Sequence, residues 1–183
     1  MLGLMLNPHT SLVALIDVQE RLAQVMSDRE RLVQNLRRLI RGAQLLSLPV
    51  VWAEQNPERL GPTLPELRAL LEGHRPVAKM SFNCWADPNF RRAIEATGRR
   101  QVLLAGIETH VCIYQTALAM QADGYEVEVV ADAVSSRSPE HRQLALTKLL
   151  SLGVRPTCVE MALFELLQTA EAPAFRGILS LVK

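Results

Sequence analysis

Apolar positions follow two alternating patterns along the chain: short unbroken runs, and longer stretches where they recur every three or four residues. The run Leu12-Val13-Ala14-Leu15-Ile16 predicts a strand over residues 11–16. Residues 28–46 then carry Leu32, Leu36, Leu39, Ile40 and Ala43 as a helical stripe, with Ser27 or Asp28 near its start. Pro49-Val50-Val51-Trp52-Ala53 predicts a second strand, followed by a polar, proline-bearing segment from Glu54 to Pro65 and a short helix over 65–72. Residues 76–79 make a brief third strand, and Asp87-Pro88 opens a helix that Gly98 stops. Residues 101–105 read as the fourth strand, 110–122 as a helix, and Tyr125 to Ala131 as the fifth strand. Ser138-Pro139 begins a helix reaching Leu152, Val154 to Cys158 is a sixth strand, and Glu160 to Leu167 a terminal helix. Residues 174–183 add at most a further turn.

This strand–helix rhythm predicts an α/β fold, three layers deep, around a mostly parallel sheet. No linker or internal repeat divides it, so residues 1–183 are expected to form one domain. In such sheets ligands bind beyond the carboxyl ends of the strands. Three chemically capable residues fall there: Asp17 ends the first run, Lys79 ends Pro76-Val77-Ala78, and Cys112 follows Gly106-Ile107-Glu108-Thr109-His110-Val111.

Composition narrows the choice of function. The 49% hydrophobic content and 4% aromatic content favour aliphatic packing and supply too few rings for extensive base stacking. Acids and bases are interspersed and the net charge is +1, so no concentrated basic segment proposes a nucleic-acid partner. The apolar N-terminus Met1-Leu2-Gly3-Leu4-Met5-Leu6 is short and lacks a basic flank, which fits neither a signal peptide nor a membrane span. Cys84, Cys112 and Cys158 are odd in number and widely spaced, so a reducing, cytoplasmic setting is expected rather than a disulfide framework. There is no CxxC, no HExxH and no zinc-spaced Cys/His cluster, and Gly42, Gly61 and Gly106 make no dinucleotide fingerprint. No cofactor or metal is expected.

A free cysteine has a pKa of about 8.5 and is scarcely ionised at neutral pH. Helix N–H groups and an ammonium at Lys79 would favour the Cys112 thiolate, and Asp17 would relay its proton. Each residue also has a plainer role: Cys112 as a small core filler, Asp17 as a cap or structural ion, Lys79 as a strand-end charge reaching solvent. Glu54-Gln55-Asn56 reads equally as crevice lining and as an ordinary polar loop. Asp132 is favoured as an organiser of its own loop through backbone N–H groups. His110 either caps its helix or faces a ligand. Phe82 and Trp85 can form an apolar wall, whereas Trp52 suits the core equally well.

Together these segments resemble the isochorismatase-like (cysteine hydrolase) family. The resemblance runs from Leu12-Val13-Ala14-Leu15-Ile16-Asp17-Val18-Gln19, through Lys79 with Ser81-Phe82, to Gly106-Ile107-Glu108-Thr109-His110-Val111-Cys112. Asp132-Ala133-Val134-Ser135-Ser136-Arg137 and Glu160-Met161-Ala162-Leu163-Phe164-Glu165-Leu166 continue it. It implies six parallel strands, an Asp17, Lys79, Cys112 triad, and a cis bond between Ile107 and Glu108. It also implies an oxyanion hole from the backbone N–H groups of Glu108 and Cys112, and an acyl-cysteine intermediate in amide hydrolysis. Gln19, Gln55, Phe82, Trp85, His110 and Arg137 are the expected substrate-pocket residues. Nicotinamidases of the family usually carry Asp-x-His after the second strand. Here Glu54-Gln55-Asn56-Pro57 stands there and no histidine follows it before His74, as in the divergent metal-free members.

The resulting expectation is a cysteine-dependent hydrolase of a small amide or related acyl compound, assembled as a homo-oligomer. The alternatives are a thiol redox protein, with Cys84 or Cys158 as partner, and a non-catalytic ligand-binding or scaffold member of the same fold.

Overall fold

A computed structural model of the chain describes residues 5–73 and 75–183. Residues 1–4, which open the apolar N-terminal segment, and His74 lie outside the described residues. The strands are β1 (Ser11–Ile16), β2 (Val50–Gln55), β3 (Val77–Lys79), β4 (Gln101–Ile107), β5 (Glu126–Ser135) and β6 (Arg155–Thr157). They form one six-stranded sheet in the order β3-β2-β1-β4-β5-β6. Every neighbouring pair is parallel. The helices are α1 (Glu20–Ala23), α2 (Arg29–Leu45), α3 (Pro57–Leu60), α4 (Pro65–Arg68) and α5 (Pro88–Glu95). After them come α6 (Tyr114–Ala122), α7 (Pro139–Ser151), α8 (Val159–Leu167) and α9 (Phe175–Val182). This is the three-layer α/β/α arrangement expected from the sequence. No helix among the described residues is long and apolar enough to cross a membrane.

Successive side chains on a strand point to opposite faces, so unbroken apolar runs serve a sheet covered on both sides. Val13 and Leu15 of β1, with Leu103 and Ala105 of β4, enter one core beside Leu36, Leu67, Leu163 and Ile178. Leu12, Ala14 and Ile16, with Val102 and Leu104, enter the other beside Phe90, Ile113, Ala117 and Leu149. The stripe on α2 faces the first of these cores, with Leu36 and Ile40 fully buried.

Several boundaries differ from the pattern. β2 continues through Glu54 and Gln55, which pair with Ala78 and Lys79, because a ladder bonds backbone groups regardless of side-chain polarity. β5 continues to Ser135 for the same reason. The helix expected over 65–72 closes as α4 at Arg68, whereas the weak signal over 174–183 is a full helix, α9, anchored by buried Ile178.

The edge of β4 next to β1 carries the tightest steric requirement. Gly106 has φ +119, and a Cβ there would lie 2.1 Å from the Ile16 carbonyl oxygen. Only glycine lets the two strand ends approach so closely. Gly106→Ala is expected to cost about 2–4 kcal/mol, combining overpacking with an unfavourable backbone angle. Urea unfolding of the variant checks this; an unchanged midpoint would mean that the two strands separate freely.

Candidate active site

The strand order reverses direction between β1 and β4, the place where open parallel sheets form a crevice. Asp17 follows β1 and the Cys112 turn follows β4, so both stand at this switch point. Lys79 reaches in from the end of β3, two strands away. Asp17 has φ 55, in the left-handed region that aspartate tolerates better than most residues. Its N–H donates to the Ala53 carbonyl (3.0 Å), and its own carbonyl accepts from Gln19 N–H (2.7 Å). The chain thereby turns sharply and aims the carboxylate into the crevice.

Lys79 Nζ donates to Asp17 Oδ2 at 2.8 Å, with both side chains fully shielded from solvent. The same ammonium donates to Gln55 Oε1 (2.7 Å) and the Ser81 carbonyl (3.1 Å). A buried ammonium thus has an acceptor for each of its three protons, as its desolvation demands. Burial penalises the Lys79 charge, but Cys84, Asp17 and Cys112 outweigh it and lift its pKa above the ordinary lysine value. Burial raises the Asp17 pKa, opposed by Lys79, by Cys112 and by Gln55. Asp17 Oδ1 is buried and accepts no hydrogen bond of good geometry, which leaves that carboxylate oxygen available to the nearby Cys112 thiol.

Cys112 lies in a π-helical turn, Thr109–Ile113, ahead of α6. Ile113 N–H reaches the Glu108 carbonyl (3.3 Å), and Tyr114 N–H the Thr109 carbonyl. The Cys112 N–H precedes both wide bonds, in the stretch where helical amides lack intrahelical acceptors. The peptide bond from Ile107 to Glu108 is cis, as the resemblance implies. Cys112 is 6% exposed. Burial and the neighbouring Asp17 carboxylate push its thiol well above the usual range, against the pull of Lys79. The sequence suggests a resting thiolate; here desolvation wins, and the ground state is thiol beside carboxylate.

The remaining expected pocket residues divide. Gln19 is fully buried, and its amide donates to the Gln55 and Gly61 carbonyls (2.9 and 2.7 Å) and accepts from Gln55 N–H (2.7 Å). Gln55 uses Oε1 for Lys79 and Nε2 for the Met80 carbonyl (2.7 Å). Both amides are therefore committed to protein and hold the site instead of lining it. Trp85 also departs from the expected wall: a buried indole N–H needs a partner, and it finds Asp123 beyond α6 (2.6 Å), edge-on to Tyr125. Phe82 is 56% exposed, with more than half of its surface open to solvent.

His110 is partly buried, with Nδ1 2.9 Å from Ser136 Oγ and its ring 4.9 Å from that of His141. Burial lowers its pKa, and His141 and Arg137 add to this against Glu108. Arg137 donates to Glu108 Oε2 through its backbone N–H (3.0 Å) and Nε (3.2 Å), tying the loop after β5 to the turn before Cys112. Asp132 was expected to organise its own loop; its Oδ1 instead accepts from Val159 N–H (2.9 Å) at the start of α8, and its carbonyl from Asn35 on α2 (2.8 Å), so it ties β5 to two helices. Glu54 gives one oxygen to both Thr63 N–H and Oγ1 (2.7 and 2.8 Å), so its carboxylate braces a loop. Among the described residues, no group of three or more His, Cys, Asp or Glu is placed to hold a metal.

Sequence patterning names Cys84 only beside Cys158 as a possible partner thiol, and the structure places Cys84 in this neighbourhood. It is fully buried, its N–H donates to Thr116 Oγ1 (2.9 Å), and Thr116 stands one turn beyond Cys112. Burial lifts its thiol to about 12, against the field of Lys79. Its only signal was an unpaired cysteine a few residues after a strand-end lysine.

An isochorismatase domain model matches residues 11–161, and the chain belongs to that family, within the cysteine-hydrolase superfamily. The chain is 38% identical over 179 residues to isochorismatase domain-containing protein 1 of Danio rerio, covering 97% of this chain but 62% of that protein. It thus spans less than two thirds of that relative. Among solved structures, the MAR1 ribonuclease of Caenorhabditis elegans is 32% identical with a TM-score of 0.91, covering 98% of this chain and 92% of that one. YcaC of Pseudomonas aeruginosa, solved with hexane-2,5-diol and covalent acrylamide, is 25% identical (TM-score 0.91; 97% and 91% covered). The Escherichia coli YcaC product, described as an octameric hydrolase of unknown specificity, is 26% identical (TM-score 0.92; 98% and 89% covered).

Removing one partner of a buried ion pair leaves the other charge uncompensated. Lys79→Met is expected to destabilise the protein by about 3–5 kcal/mol, and Asp17→Asn in the same chain to restore part of that loss. Denaturant unfolding of the two single variants and the double variant gives the coupling; additive losses would mean that the two charges do not interact.

Proposed function

We propose that this protein is a hydrolase of small amides or related acyl compounds that uses Cys112 as nucleophile, Asp17 as proton relay and Lys79 as the fixed counter-charge. The observation that carries the reading is the solvent-free Lys79–Asp17 pair, whose second carboxylate oxygen makes no other well-formed hydrogen bond and lies within the influence of the Cys112 thiol. Asp17 takes the thiol proton as sulfur adds to the carbonyl carbon, so the charge moves to the carbonyl oxygen. The N–H groups of Glu108 and Cys112 receive that oxygen. Asp17 then protonates the leaving nitrogen, the C–N bond breaks, and a thioester on Cys112 remains. Water gives a proton to Asp17 and its oxygen to the thioester, and release of the acid returns the proton to sulfur. The sum is amide plus water giving acid plus amine.

Lys79 stays charged throughout, and Gln55 and Gln19 hold it in place. Arg137, already paired with Glu108, and neutral His110 border the crevice and set its polarity. The covalent acrylamide in the Pseudomonas YcaC structure makes acrylamide a suitable first probe. By analogy with the octameric E. coli protein, this chain self-associates, and exposed Leu144 and Leu150 on α7 are apolar surface for such a contact.

Cys112→Ala is expected to abolish turnover of any responsive amide while leaving the fold intact, and mass spectrometry of the native protein is expected to find the adduct on Cys112. Neither hydrolysis nor adduct across acrylamide and a panel of small amides would end this reading and leave a binding module. The pH profile adds a second test. Asp17 works as base only when ionised, and its pKa is raised, so kcat/KM is expected to fall on the acid side above the ordinary aspartate value of about 3.9. An acid limb at or below that value would remove Asp17 from the role.

Cys84 supports a second reading, a thiol redox protein. A peroxide would oxidise Cys112 to the sulfenic acid, and the Cys84 thiol would displace water from it to form a disulfide. Burial keeps Cys84 protonated and slow to attack, which ranks this reading second. Non-reducing peptide mapping after brief peroxide treatment is expected to show at most a minor Cys84–Cys112 product; rapid, complete conversion would reverse the order.

A further inference from the structure

The outer face of α2 borders a groove of about 580 Å³ that the triad does not use. Arg29, Val33, Arg37 and Arg41 form one i, i+4 row of this helix, and Arg38 belongs to the row beside it. The opposite face of α2 is buried against the sheet, so these positions are directed outward by the helical period. The end of α9 and Lys183 make the far wall, and Glu66 of α4 closes the end near Arg29.

Five cationic side chains line this groove against two carboxylates, Glu30 and Glu66, although the whole chain carries only +1. Arg29 approaches Glu66 at 3.8 Å, and Arg38 donates to Asn35 Oδ1 at 3.2 Å. Arg37 and Arg41, both exposed, have no ion-pair partner among the described residues. Like charges one turn apart weaken a helix, and Arg29 at the first helical position opposes the macrodipole. Uncharged helix formers at Arg29, Arg37, Arg38 and Arg41 would avoid this repulsion, so the cluster favours an anionic occupant.

Guanidinium groups match phosphate oxygens through paired N–H donors and remain charged at any physiological pH. Arg37 and Arg41 are separated by about 6 Å along the axis. Flexible arginine side chains can converge across that distance on one phosphate, but a short chain of linked phosphates offers more charge and more oxygens to Arg37, Arg38 and Arg41 together. The groove volume is also within the range of small-molecule sites, roughly 300–1,000 Å³.

We propose that the α2–α9 groove binds a small oligophosphate, either free or as the phosphate arm of a nucleotide. It binds at a site separate from Cys112 and independent of the hydrolytic reading. Titration calorimetry of the full chain with inorganic triphosphate is expected to show saturable binding that weakens with added salt. Arg37→Gln with Arg41→Gln is expected to reduce the affinity at least tenfold, while Arg92→Gln on α5 changes it less than twofold. Glutamine removes like-charge repulsion without lowering helix propensity much, so the double variant keeps its melting point. Equal affinity for a nucleoside triphosphate assigns recognition to the phosphates alone, and tighter binding adds a contact to the base; both support the site. Absent saturable binding, or affinity unchanged by the double substitution, overturns it. So does affinity that rises with the length of a single-stranded oligonucleotide, or self-association that the double variant abolishes, since each gives the groove another occupant.

Discussion

The ion pair between Lys79 and Asp17 is what the surrounding structure has to accommodate. Two opposite charges held 2.8 Å apart without solvent are stable only if the other lone pairs and protons of the group find partners. That requirement explains features that are otherwise unrelated. Gln55 ends β2 with its amide turned toward Lys79, and Ser81 offers its carbonyl. Gln19 in turn clamps Gln55 and the Gly61 carbonyl, so the loop after β2 is stitched to the loop after β1. Loss of any one link would let water reach the pair and soften the charge distribution beside Cys112.

Burial, more than any neighbour, keeps the sulfur protonated, and the pair adds to it. An ammonium alone would stabilise a thiolate, but this ammonium is already neutralised by a carboxylate, and the carboxylate repels a second negative charge. Cys112 consequently rests as an uncharged thiol, and in the proposed mechanism its ionisation would coincide with bond formation. In the proposed hydrolase such a site would suppress idle reaction with oxidants and reserve nucleophilicity for a substrate that accepts the charge on its own oxygen.

Much of this was legible in the residues. The strand over 11–16 has the expected bounds, and the α2 stripe faces the sheet, because apolar period reports burial directly. Asp17, Lys79 and Cys112 could be singled out because polar groups that end apolar runs stand where parallel sheets place their crevices. The fate of Gln19, Gln55 and Trp85 was not legible in the same way. A polar side chain at a strand end has the same signature whether it meets substrate or backbone, and only the hydrogen-bond partners separate the two. The π-helical turn at Cys112 and the close β1–β4 approach at Gly106 were equally hidden, since local periodicity carries neither.

Helix α2 shows the same limit from the surface. Residues 29–41 contain Arg29, Arg31, Arg37, Arg38 and Arg41, but with Glu30 and Asp28 nearby they read as mixed charge along the chain. Folding sorts them: Arg31 pairs with Asp28 at 2.8 Å, while Arg37, Arg38 and Arg41 collect on the groove side. Net charge averaged over a sequence therefore understates the field at one helix face, since only residues that share a face add their potentials at close range. The buried face can tolerate that repulsion because Leu32, Leu36, Leu39 and Ile40 anchor the helix to the sheet. Apolar burial thus gives the outer face the freedom to concentrate charge that an isolated helix of this sequence would resist.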